Sequence, residues 1–247
     1  MNWTNNKILY TQIVLFLFCT GCKGQELDKE FHKDVLLYQN DFGDPEKVDD
    51  WVMEGPGEIE FKDGWMHMLS PDEEYHHVFW CPRDFPDSII VEWEAQNMEI
   101  DAGLCILFFA AKGVNGEDIF DPSLPKRDGN FTWYIKDTLR SYHISYYANT
   151  PKKPDRSTAH LRKNNEFKLV YSGEEGIPTK STQIHHMKLI KYGPMIRFFV
   201  DDGKVIDWTD TSENDPRPYY KEGKIGFRQM QWTHFRYRNF RVWSISN

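Results

Sequence analysis

The side chains of this chain best suited to moving protons around a small polar ring fall within residues 131–149. His143 carries the group whose ordinary pKa lies nearest neutrality, which makes it the natural general base or acid. If Lys136-Asp137-Thr138-Leu139 turns a hairpin, Thr132 lies opposite His143. Tyr134 is then a diagonal neighbour at a Cα distance of about 7–8 Å. An imidazole and a phenol at that separation can flank one ring, so His143 and Tyr134 are the expected catalytic pair. Tyr147 lies four residues past His143, roughly 13 Å along a strand. With Asn149 it is expected to hold an adjacent unit of a longer ligand.

The element that must position these groups is a strand-turn-strand. In that register Phe131, Trp133 and Ile135 share a sheet face with Tyr142, Ile144 and Tyr146, as a core face should. The other face carries Thr132, Tyr134, Lys136, Ser141, His143, Ser145, Tyr147 and Asn149. Short hydrogen-bonding groups and aromatic hydroxyls dominate it, where a merely solvated sheet would carry long charges. That is the make-up of a sugar-binding groove. Two long loops, 112–130 and 149–156, flank the hairpin and are expected to close one end of the groove.

Around this hairpin the chain reads as short strands punctuated by turns, near 59–61, 65–69, 89–95, 104–111, 186–191, 195–200, 204–209, 224–228 and 237–245. Asp201-Asp202-Gly203 is a hairpin signal. Many short antiparallel strands predict an all-β sandwich of two sheets or a jelly roll. The 247 residues, 40% hydrophobic, suit one such domain over 23–247.

Residues 1–22 read as a signal peptide: Lys7 precedes the apolar run 13–18, too short to span a bilayer. The run ends in Cys19-Thr20-Gly21-Cys22, which resembles a bacterial lipobox. Cys22 is therefore the expected lipidation site, with ordinary cleavage nearby as the alternative. The expected location is the periplasm or outer membrane, with membrane contact only through the lipid anchor. A net charge of -8 argues against nucleic acid as a partner. Cys81 and Cys105 either pair or stay as buried thiols. Without CxxC or HExxH spacing no metal site or cofactor is expected. Asp118 and Asp121 lack the ordered spacing of a calcium loop.

The order DFGDPEKVDDWVMEGPGEIEFKDGWMHM, FFVDDGKVIDWTD, GKIGFRQM and RYRNFRVWSI resembles the concanavalin A-like lectin/glucanase superfamily. More closely, DPSLPKRDGNFTWYIKDTLRSYHISYYANTP, then AHLRKN and GKIGFRQM, resembles the YesU-like family, a domain of unknown function. The resemblance covers almost the whole mature chain and implies a concanavalin A-like jelly roll. It also implies relatives among enzymes that degrade uronic-acid polysaccharides such as rhamnogalacturonan and ulvan, with lyase or dehydratase chemistry.

Uronic acids allow elimination: a base takes the C5 proton beside the carboxylate, and the C4 substituent leaves. A second negative charge then builds beside the first, so a cation must hold the carboxylate. Arg162 and Arg228 are the candidates, since guanidinium suits bidentate carboxylate recognition. Arg228 alternates with Ile225 and Phe227 and so leaves the apolar face. The expectation is a carbon-oxygen lyase acting on an acidic oligosaccharide, a dehydratase at the non-reducing-end uronate. One alternative is a non-catalytic glycan-binding module with Trp133 or Trp232 as a stacking platform. Another is a polysaccharide-cleaving lyase, or a glycosidase using Glu92 and Glu94, about 6.6 Å apart on one strand face.

Overall fold

The structure, a computed structural model, describes residues 31–70, 76–150, 152 and 154–246. The expected signal peptide and Cys22 lie outside the described residues. Fifteen strands are described: β1 (His32–Asn40), β2 (Val52–Glu54), β3 (Glu58–Lys62), β4 (Trp65–Leu69), β5 (His77–Trp80), β6 (Ile89–Asn97), β7 (Gly103–Gly113), β8 (Leu139–Asn149), β9 (Thr158–Lys163), β10 (Lys168–Glu175), β11 (Ile184–Tyr192), β12 (Met195–Val200), β13 (Gly203–Thr209), β14 (Lys224–Gln229) and β15 (His234–Ser246). They form two antiparallel sheets. The first runs β13-β12-β11-β6-β15-β4-β3, with β1 also paired to β15, and the second runs β10-β9-β8-β7-β14-β5-β2.

Alternation explains the packing. In β6 the buried Val91, Trp93 and Ala95 face inward, while Glu92, Glu94 and Gln96 face out. The inner faces meet in one core, where Trp93 lies 5.7 Å from Phe227 and 6.1 Å from Tyr146, ring centre to ring centre. Cys81 and Cys105 are free and buried in this core.

A smaller apolar layer lies on the outer face of the second sheet. There Val78, Trp80, Ile106 and Phe108 are roofed by Ile119, Tyr134 and Ile135. These last three belong to a strap, residues 114–138, which crosses the sheet. Two ion pairs pin it: Lys224 with Asp118 at 2.9 Å, and the buried Arg127 with Glu54. Trp80 Nε1 adds a 2.9 Å hydrogen bond to the same carboxylate.

The expected hairpin over 131–149 is half right. Its second half is β8, but β8 pairs with β7 and β9, and Thr132–Ile135 is a single helical turn, α1, in the strap. Local turn chemistry overrides the alternating pattern. Gly129 sits at φ +89, and the Asn130 side chain accepts from the Thr132 N–H at 3.0 Å, which starts the turn.

Candidate functional site

The strap leaves part of the outer face of the second sheet open, and there a cavity of about 180 Å³ is lined by His76, Leu104, Ile106, Phe131, His143, Ser145, Arg156, Arg162, Phe167, Arg228 and Met230. His143 and Ser145 point into it because they alternate with the core residues Tyr142, Ile144 and Tyr146 along β8. Arg162 comes from β9, in register with His143, and Arg228 from β14. The strap supplies Phe131, and the turn after β9 supplies Phe167 at φ 54, a backbone region costly for a bulky side chain. Asn165 Oδ1 accepts from Asp137 N at 2.9 Å, tying that turn to the end of the strap.

Among the described residues, three arginines and no acid line this cavity. Arg228 is fully buried with its guanidinium 4.3 Å over the Phe131 ring, and Arg162 lies 4.0 Å over Phe167. Arg162 also donates to Phe167 O at 3.1 Å. Arg156 donates to Ser145 Oγ and contacts His160 Nδ1 at 3.0 Å. Arg228 Nε and Arg156 Nε meet no hydrogen-bond partner among the described residues. With the guanidinium faces of Arg228 and Arg162 covered by aromatic rings, their in-plane N–H edges remain for an oxyanion. Burial pushes Arg228 down to about 10, an unusual strain on so strong a base.

His143 is held by a defined network. Asn164 Nδ2 donates to Ser141 Oγ at 2.7 Å, which turns Asn164 Oδ1 towards His143 Nδ1 at 3.1 Å. Nδ1 therefore carries the proton and Nε2 keeps its lone pair. Burial first, then the charge of Arg162, push His143 down to about 3, with Arg228 and Arg156 adding to the shift. Burial and Arg228 likewise push His76 down to about 4. The site thus presents neutral imidazoles among fixed cations.

Of the residues singled out in the sequence, His143, Arg162 and Arg228 meet at this cavity. Tyr134 does not line it. It is fully buried on the inner side of the strap, 5.8 Å from Phe108, and its hydroxyl accepts from Gly129 N at 3.1 Å. Burial and the Glu54 carboxylate hold its phenol far above the ordinary value, which suits a structural group. Tyr147 and Asn149 depart from the expected face because β8 bulges: Cys105 pairs with Tyr147 but Ile106 with Ser145, leaving Tyr146 extra. Tyr147 enters the core and accepts from Asn97 at 3.0 Å, while Asn149 donates to Ile100 O at 3.0 Å. Trp133 sits on α1, partly exposed, outside the lining. Glu92 and Glu94 point outward from the first sheet and are engaged by Lys33 and by Arg238 with Asn239.

Arg156, His76, Phe131 and Phe167 were missed. Arg156 falls in a loop already marked as flanking the groove, the one signal that pointed to it. Elsewhere, Ser181 Oγ, His185 and Asp201 form a relay at 2.7 and 2.6 Å, in the order of a nucleophile triad. Ser181 Oγ also closes a local turn with Gln183 N at 3.3 Å, and Asp201 also holds His186 N at 2.8 Å. The relay anchors the start of β11.

Fold and site together define a β-sandwich of the galectin-like, jelly-roll class with a basic pocket on one sheet. The chain belongs to the family described as Domain of unknown function (DUF1961), whose model matches residues 35–242. It is 38% identical over 215 residues to the uncharacterized protein YesU of Bacillus subtilis, covering 86% of this chain and 97% of that protein. A crystal structure of a Bacillus subtilis protein of unknown function with a galectin-like fold superposes with a TM-score of 0.83 at 38% identity, over 88% of this chain and 99% of that one. The carbohydrate binding module CBM66 of Bacillus subtilis shares the fold at 13% identity, TM-score 0.50, over 83% of this chain and 98% of that one.

Proposed function

We propose that the protein binds the end of an acidic glycan, seating one anionic sugar in the pocket of Arg156, Arg162 and Arg228. The observation that carries this reading is three arginines converging on a cavity that no acid lines among the described residues. Arg228 is buried and Arg156 and Arg162 are half-buried, and cations so desolvated call for an anion. The size favours a single ring, since 180 Å³ is close to the roughly 150 Å³ of a cavity that admits benzene. Leu104, Ile106 and Met230 offer apolar contact for the non-polar face of a sugar. The sandwich it shares with a carbohydrate binding module is compatible with glycan binding. Calorimetric titration with glucuronate-ended oligosaccharides and their neutral counterparts tests the reading: the acidic ligands bind and the neutral ones do not. Equal affinity for both sinks it.

The lyase reading keeps one supporting observation: His143 holds an unprotonated Nε2 beside an arginine clamp, the placement that C5 proton abstraction needs, while a pKa of about 3 makes it a weak base for that step. Tyr134 is not available as the acid, and the imidazole of His76, pushed down to about 4, is neutral and does not replace it. Incubation with uronate oligosaccharides tests it. New ultraviolet absorbance with an 18 Da loss means dehydration, shorter products mean chain cleavage, and binding without either leaves a module.

A further inference from the structure

We infer that the arginine pocket takes up its anionic ligand together with a proton, which settles on His143 Nε2 and makes the imidazole a fourth cationic donor. This rests on the acidic-sugar reading and deepens it.

On the His143 ring the geometry leaves one place for the proton; His76, the second imidazole of the lining, has a buried Nδ1 without a partner among the described residues and is the competing acceptor that the His143→Gln variant separates. His143 Nδ1 is committed to Asn164, itself held by Ser141 and, through its backbone carbonyl, by Tyr220. Nε2 is the remaining nitrogen of a ring walled by Phe108 at 5.4 Å, Phe131 at 5.8 Å and Phe167 at 5.8 Å. The charged and titratable groups around it come from every neighbouring element. Arg162 lies on β9, Arg228 on β14, Arg156 precedes β9, and His76 precedes β5. His160 of β9 reaches Arg156, and the buried phenol of Tyr134 lies behind Arg228. Every charge named is positive.

In the empty pocket these charges and burial oppose protonation, so His143 is neutral throughout the ordinary pH range. An oxyanion seated among the arginines reverses the sign of the local field. It cancels their repulsion and offers the imidazolium a partner at hydrogen-bond range. The complex then binds more protons than the free protein, and by linkage the affinity must rise as pH falls. The gain reaches at most about tenfold per pH unit while the ligand's own carboxylate stays ionised.

The test is calorimetric titration of the protein with methyl glucuronide in buffers of differing ionisation enthalpy. The expected result is uptake of up to about one proton per site at mildly acidic pH, with affinity rising on acidification. In His143→Gln the slope of affinity against pH is lost. Binding with no proton uptake and a flat pH profile overturns the inference while sparing the acidic-sugar reading, as does a slope retained in His143→Gln. No binding at any pH overturns both. Should the variant fail to fold, imidazole nitrogen shifts of the wild type decide: a ligand-induced move to imidazolium values supports the coupling, and unchanged neutral shifts refute it.

Discussion

At the scale of single residues, the pocket holds groups that serve ligand binding at the expense of stability. Arg228 is buried, stacked on Phe131 and lacks a partner for Nε. Arg228→Met replaces a desolvated cation with an apolar side chain. Binding of acidic oligosaccharides should fall at least about tenfold while stability holds or rises by about 1–4 kcal/mol. Thermal melts beside titrations check this, and a large loss of stability with unchanged binding would count against it. His143 and His77 both sit near 3, far below the ordinary histidine value, because burial disfavours their charged forms. The unfolded chain therefore binds more protons than the folded one below about pH 6.5. Stability is full above that point and declines towards pH 3, by about 1.4 kcal/mol per pH unit for each such histidine. Melts across this window should show the slope, with part of it removed in His143→Gln.

At the scale of elements, the strap decides whether the pocket exists. It delivers Phe131 to the cavity and is pinned at Glu54, where Arg127 Nε donates at 3.0 Å. Glu54→Gln leaves Arg127 buried without its counter-charge, at a cost of about 3–5 kcal/mol. Limited proteolysis should then cut first within 114–138, and ligand affinity should fall with it. A strap that stays resistant would show that its apolar layer alone suffices. Gly129 matters for a different reason: an added Cβ would come within 1.9 Å of the His76 carbonyl oxygen. Gly129→Ala must push strap and His76 apart, so it should weaken binding and lower the melting temperature together.

At the scale of the whole molecule, a net charge of -8 surrounds a pocket whose lining is basic. Recognition of a polyanion is therefore local, and its affinity should depend on salt more weakly than binding along a basic surface would. The two core cysteines are free, and burial pushes the Cys81 thiol up to about 12 and that of Cys105 higher still. Neither should react with a thiol reagent until the fold is denatured, whereupon both should do so without added reductant. We further propose export and lipidation at Cys22. Radiolabelled palmitate should enter the wild-type precursor and be absent from Cys22→Ser, and equal labelling of both would refute it.

Local periodicity carried the all-β architecture, because a strand with one core face alternates: Val91, Trp93 and Ala95 alternate with Glu92 and Glu94 in β6, and Ile225 and Phe227 precede the off-core Arg228 by the same rule in β14, where every residue is nonetheless buried. The same rule placed His143 and Arg228 off the core face, where both are found. It failed where a single residue changes the parity: the bulge at Tyr146 carried Tyr147 and Asn149 away from the groove side. It failed again at 131–135, where Asn130 bent the chain into a helical turn and buried Tyr134. Strand order and loop crossing lie beyond local sequence altogether. Only the tertiary structure brought Arg156, Arg162 and Arg228 together, because their convergence depends on how distant strands and loops pack, which no spacing along the chain encodes.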